Sequence, residues 1–150
     1  MRPGMPSRSK FTLLLLLPAI LALGANTQIS TDRPIVNFRL PGFTPEGNRA
    51  WLVRGSEARY AAAEEVDITG LNLSIFTGLP DGQVETLILS PSAQVRPGEL
   101  QAHGHETIRV INDRFEATGS DWNYSHREKK VSIGKNVHVI LHSELKALLQ

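Results

Sequence analysis

The sequence predicts an all-β fold assembled from repeated, bent β-hairpins, and three observations predict it. The stretch Trp51–Phe76 (WLVRGSEARYAAAEEVDITGLNLSIF) falls, 64 positions on and without a gap, on Phe115–Ile140 (FEATGSDWNYSHREKKVSIGKNVHVI). Gly55, Ser56, Tyr60, Glu64, Gly70 and Asn72 meet the same residue types at Gly119, Ser120, Tyr124, Glu128, Gly134 and Asn136; Trp51 meets Phe115 and Glu57 meets Asp121. A looser copy lies between them in Ser90–Val110, and self-similarity at such a period marks stacked copies of one supersecondary unit. The second observation is a two-residue apolar alternation, and the third is the turn chemistry that punctuates it.

Each copy reads as a bent hairpin. Trp51, Val53 and Gly55 share one parity, then Ala58 and Tyr60 carry the apolar pattern on the other; Phe115, Ala117 and Gly119 give way in the same manner to Trp122 and Tyr124. Side chains alternate faces along a strand, so a change of parity means an inserted residue, a bulge or a bend. Gly-Ser at the break suits one. After a polar turn the chain returns through Val66, Ile68, Leu71, Leu73 and Ile75 in one copy, and Val131, Ile133, Val137, Val139 and Leu141 in the other.

In chain order, residues 1–25 stand apart from the fold. Arg2, Arg8 and Lys10 precede the apolar run Phe11–Leu23, and Ala22, Gly24 and Ala25 follow, the layout of a signal peptide or of an N-terminal membrane anchor. Without those three cations the body holds 13 Lys and Arg against 15 Asp and Glu, a net −2, which argues against a nucleic-acid-binding face. There is no cysteine, hence no disulfide and no thiolate metal site. Residues 26–34 form a polar linker and residues 35–150 one β domain. Ile35–Leu40 is a short strand with Ile35 and Asn37 on one face and Val36, Phe38 and Leu40 on the other. Pro41-Gly42 and Pro45-Glu46-Gly47 punctuate the chain, Leu79–Gly82 is a hairpin turn, Val84–Leu89 a strand, and Asn112-Asp113 a turn. Ser143 is placed to cap a short helical turn, Glu144–Leu149. About ten short strands with almost no helix point to a β-sandwich, a jelly roll or an incomplete barrel.

The apolar faces of the repeats, Trp51, Val53, Leu71, Leu73, Ile75, Phe115, Ala117, Val137 and Val139, suit either a lipid-binding groove or a closed core. The first strand and the last (Lys130–Leu141) are the natural sheet edges, where a partner's strand adds. Arg127, Lys129, Lys130 and Lys135 form a basic cluster that suits anionic headgroups or a solvated turn. His103 and His105 make half of a metal site, with His126, His138 and His142 free to converge on it, the arrangement a metal-dependent hydrolase requires. The carboxylates Glu57, Glu64, Glu65 and Asp121 recur at copied repeat positions, and Ser56, Ser90 and Ser120 lack a nucleophile elbow, so no catalytic constellation emerges and no cofactor is called for.

The PEG turn, the aromatic-started strand WLVRGSEARY, the partner ending TGLNLSIF, then SPSAQV and the closing GKNVHVIL, behind an export leader, resemble LptC and its OstA-like (LptA-type) relatives. The resemblance runs from Phe38 to about His142. It implies an open, twisted antiparallel β jelly roll in the periplasm, free or anchored to the inner membrane. It further implies a non-catalytic role in lipopolysaccharide transport, with acyl chains held between sheets. The implied partners are lipopolysaccharide, an inner-membrane ABC transporter complex and other OstA-like jelly rolls joined by edge-strand pairing. The other reading of the residues is a structural or adhesive β-sandwich with a closed core that binds protein or glycan at its surface.

Overall fold

The computed structural model describes residues 33–62 and 64–142; the leader, most of the linker and the turn expected after Ser143 lie outside them. Eight strands follow in order: β1 Ile35–Phe43, β2 Arg49–Ala62, β3 Glu65–Phe76, β4 Val84–Arg96, β5 Gln101–Gly104, β6 Ile108–Asn112, β7 Phe115–Ser125 and β8 Lys130–Leu141. The described residues are all-β, and every pairing is antiparallel. The sheet runs β1-β2-β3-β4; β5 and β6 then lie in successive stretches between β4 and β7, and β8 pairs with β7. Among the described residues β1 and β8 each have one partner, so they are its edges.

Eight strands appear where about ten short ones were expected, because the turn signals inside them bend the chain without ending it. Pro41 sits within β1 opposite Leu52, tolerable because an edge strand does not need every N–H. Pro91 lies within β4 at a bend.

Those bends share one line. Along β2 the buried parity passes from Val53 and Gly55 to Ala58; along β3 from Ile68 to Leu71; along β4 from Ser90 to Ala93; along β7 from Gly119 to Trp122. The paired positions on either side are continuous, Val36↔Glu57 then Phe38↔Gly55, and Thr69↔Ser92 then Leu71↔Ser90. A crease therefore crosses the sheet from Asn37 through Ser56, Gly70, Pro91 and Ser120 to Asn136. Because neighbouring strands each carry the extra residue at the same place, the sheet bends and keeps its apolar side chains on one face. Asn37, Gly70, Asp121 and Asn136 on this line have positive φ, 54°, 65°, 50° and 53°.

Side chains satisfy the carbonyls that the crease frees from the ladder. Ser56 Oγ donates to Thr69 O at 3.0 Å, and Ser90 Oγ lies 2.8 Å from both Ser92 O and Thr107 O. Asn37 also corrects the expected faces of β1. Ile35 pairs with Ala58 and Phe38 with Gly55, so both share the inner face, because the left-handed Asn37 switches parity between them.

The two arms of the bent sheet face each other. Trp51, Val53 and Leu73 of one arm approach Val95, Ala102 and Tyr124 of the other around a space of about 30 Å³. Ile68, Ile88 and Ile108 are the most completely buried large side chains of the continuous core. At Gly55 a Cβ would collide with Ile68 Cγ2, and at Gly119 with Ile133 Cγ2, so both copies need glycine for the same close approach.

The repeat is visible as two hairpins, β2–β3 and β7–β8. Ladder pairing aligns them differently from the gapless shift. Tyr60↔Val66 corresponds to Tyr124↔Val131, Val53↔Leu73 to Ala117↔Val139, and Trp51↔Ile75 to Phe115↔Leu141. The β7–β8 register shifts between Thr118 and Ser120, where β8 carries additional chain. The counterpart of the left-handed Gly70 is consequently Asn136, directly before Val137, and not Gly134. Tyr60, expected on the apolar face, is 66 % exposed near the end of β2.

Candidate functional site: the inner face and its open edge

The ladder sets the nine apolar residues singled out from the sequence on one face of the sheet, but in three different environments. Val53, Leu71, Leu73, Ile75 and Ala117 are buried in the core. Trp51 and Phe115 are half-buried against it. Val137 and Val139 are 54 % and 50 % exposed. Their direction follows from pairing: Val139 lies opposite the buried Ala117 and Leu141 opposite Phe115, whereas His138 and Ile140, opposite Thr118 and Glu116, point the other way. The inner face thus continues past the core onto β8 as Val137, Val139 and Leu141, and there it loses its cover.

Beside this strip lies a cavity of about 310 Å³ lined by Ile75, Val110, Phe115, Ala117, Val131 and Ile133, with Tyr124 at its inner wall. Tyr124 also lines the small space on the other side and so separates the two. Its phenol oxygen lies 2.8 Å from His126 Nδ1. Burial, reinforced by the charge of Glu85, pushes the Tyr124 phenol well up and keeps it neutral. Burial holds the His126 imidazole below its ordinary pKa, helped by the nearby charge of Lys129. Two polar residues, Thr86 and Asn112, and three charged ones, Glu85, Arg114 and Lys129, complete the lining.

A second depression, of about 660 Å³, follows the crease. Asn72, Arg109, Thr118, Ser120 and Asn136 line it around Gly70 and Gly119. Arg109 is held there by two hydrogen bonds to Glu116, at 2.6 and 3.0 Å, and Glu116 is held below the usual carboxylate range by them. At the same crease Asp121 accepts from Lys135 Nζ at 2.6 Å and lies 3.1 Å from His105 Nδ1, contacts that lower its pKa.

The expected basic cluster is therefore split. Lys135 is tied to Asp121, Lys129 lines the 310 Å³ cavity, and Arg127 and Lys130 belong to the β7–β8 turn and strand start. The histidines do not converge: among the described residues no three His, Cys, Asp or Glu side chains gather in metal-binding geometry. Sequence reading missed Arg114 and Tyr124 as members of the cavity. Tyr124 carried a signal in its apolar parity, while Arg114 offered only its place directly before Phe115.

These features define a class: an all-β protein whose bent antiparallel sheet packs around a core and leaves apolar side chains of β8 exposed. No family model matches the chain, and no curated protein matches its sequence.

Proposed function

We propose that this protein is a non-catalytic lipid-binding component of lipopolysaccharide export, working as an open β jelly roll after delivery across a membrane. The observation that supports it is the uncovered inner-face strip on β8. Val137, Val139 and Leu141 point the same way as the core yet stay 54 %, 50 % and 70 % exposed. Apolar side chains turned inward without cover favour an apolar occupant, because contiguous exposed apolar surface marks a binding face. Acyl chains lie along that strip beside Phe115 and reach into the neighbouring cavity. The periplasm is the compartment, with the leader cleaved or retained as an inner-membrane anchor. The edges β1 and β8 receive strands of partner jelly rolls, and an ATP-driven transporter supplies directional movement.

In-cell photo-crosslinking tests this reading, with the probe amino acid placed separately at Val139, Val137 and Phe115, and at His138 as the outward control. Lipopolysaccharide adducts at the inward positions alone are the expected result. A folded, exported protein that yields none at any position overturns it.

A second reading has its own support. Five of the nine apolar residues are buried in the core, and the depression at the crease, lined by Leu71, Leu89, Pro91 and Ile108 as well as by polar side chains, offers a surface site for protein or glycan ligands. Adducts or ligand protection at Ser120 and Asn72, with none on β8, would favour that closed-core binding module.

A further inference from the structure

We infer that the cavity beside β8 is a site for one acyl chain of an anionic amphiphile, with Arg114 and Lys129 holding the negatively charged head. This assignment rests on the lipid-binding reading above and says which chemistry the open end selects. Three observations converge on it.

Six of the twelve lining residues, Ile75, Val110, Phe115, Ala117, Val131 and Ile133, contribute only hydrocarbon side chains. Its volume of about 310 Å³ holds on the order of ten methylene-sized groups, taking the roughly 30 Å³ share of one water molecule as the yardstick. That is the inner part of a single medium-length chain.

The second observation is where the charge sits. Arg114 and Lys129 are both exposed, they come from different turns, β6–β7 and β7–β8, and they line the same cavity. Their backbones are anchored. Arg114 N donates to Asn112 Oδ1 and its carbonyl accepts from His142 N, both within 2.9 Å, while Lys129 N donates to His126 O at 3.2 Å with φ of 48°. Two separate chain segments thus bring a guanidinium and an ammonium to the lining of one cavity.

Third, these cations are unused. Among the described residues, Arg59, Arg96, Arg109 and Lys135 have carboxylate partners, and neither Arg114 nor Lys129 does. The one acid in the lining, Glu85, makes no ion pair with either. A phosphate or carboxylate head satisfies both cations at once. Arginine offers it a two-pronged donor set and lysine a mobile point charge. Glu85 opposes that head and sets an upper bound on its charge.

The experiment uses the full chain and three twelve-carbon probes below their micellar concentrations: dodecyl phosphate, dodecanoate and the neutral dodecyl maltoside. Intrinsic tryptophan fluorescence or calorimetry reads affinity. Both anionic probes should bind at least fivefold more tightly than the maltoside, with the preference shrinking as salt screens the exposed cations. Arg114→Gln with Lys129→Gln should remove that preference and leave maltoside binding unchanged, and Glu85→Gln should strengthen anion binding. The two anionic arms separate a phosphate-bearing lipid from a free fatty acid. Equal affinity for all three probes overturns the charged opening while leaving the acyl-chain reading intact. Binding of none overturns both. An anion preference that survives the double substitution, in protein with an unchanged melting curve, assigns the head to other residues and overturns this proposal.

Discussion

The β2–β3 and β7–β8 hairpins carry one sequence pattern into two environments. Leu73 and Val139 occupy the same place in the repeat, opposite Val53 and Ala117, yet Leu73 is 3 % exposed and Val139 is 50 %. Ile75 and Leu141 differ in the same direction, 6 % against 70 %. The cause is topological. β3 has β4 on its far side and the opposing arm above it, whereas β8 ends the sheet. Alternation of apolar residues therefore fixes which way a side chain points, and only strand order decides whether anything covers it.

The largest expected effect tests that difference directly. Leu73→Ala should lower stability by about 2–5 kcal/mol, the range for emptying a packed site. Val139→Ala should cost less than about 1 kcal/mol, since little apolar surface returns to water there. Urea melts of the two variants check both, and similar costs would mean that β8 is covered after all.

The glycines come next and sharpen the comparison. Gly55→Ala and Gly119→Ala each force a Cβ against the isoleucine across the hairpin, Ile68 or Ile133, at an expected cost of about 1–3 kcal/mol. A distinctly smaller loss at Gly119 would show that the edge strand moves aside where the central strand does not. The left-handed residues of the crease give a smaller pair. Gly70→Ala should cost about 1 kcal/mol, because an alanine at φ of 65° is strained, while Asn136→Gly should change stability little. Thermal unfolding compares them.

The smallest effect is in the pH profile, and it belongs to the β7–β8 side. His126 is held below its ordinary pKa in the folded chain, so the unfolded chain binds the proton first. Stability is then complete above the ordinary histidine range and declines as pH falls through it toward the lower folded value. Asp121 and Glu116, also lowered, extend the decline into the carboxylate range. His126→Gln should flatten the first part of the decline, between about pH 7 and 6, and leave the second; melting temperature against pH reads both.

Much of the architecture was legible because it rests on local rules. The parity switches at Gly55-Ser56 and Gly119-Ser120, the turns at Leu79–Gly82 and Asn112-Asp113, and the inward set Val66, Ile68, Leu71, Leu73, Ile75 all follow from the period of a strand. The crease at Asn37 was not legible, since a single left-handed asparagine leaves no periodic trace in so short a strand. Nor was the exchange of Gly134 for Asn136, because a gapless alignment hides the extra chain in β8. The site was legible only as a face. Which of its residues are enclosed, and that Arg114 and Lys129 line one cavity, depend on pairings between distant segments.

Methyl NMR of the full chain during titration with dodecyl phosphate tests the central claim most directly. Shifts confined to the methyls of Ile75, Val110, Ala117, Val131, Ile133, Val137, Val139 and Leu141, with Leu73 and Ile88 stationary, are the predicted result. Shifts gathered instead at Leu89 and Ile108 beside the crease, with β8 silent, would contradict it.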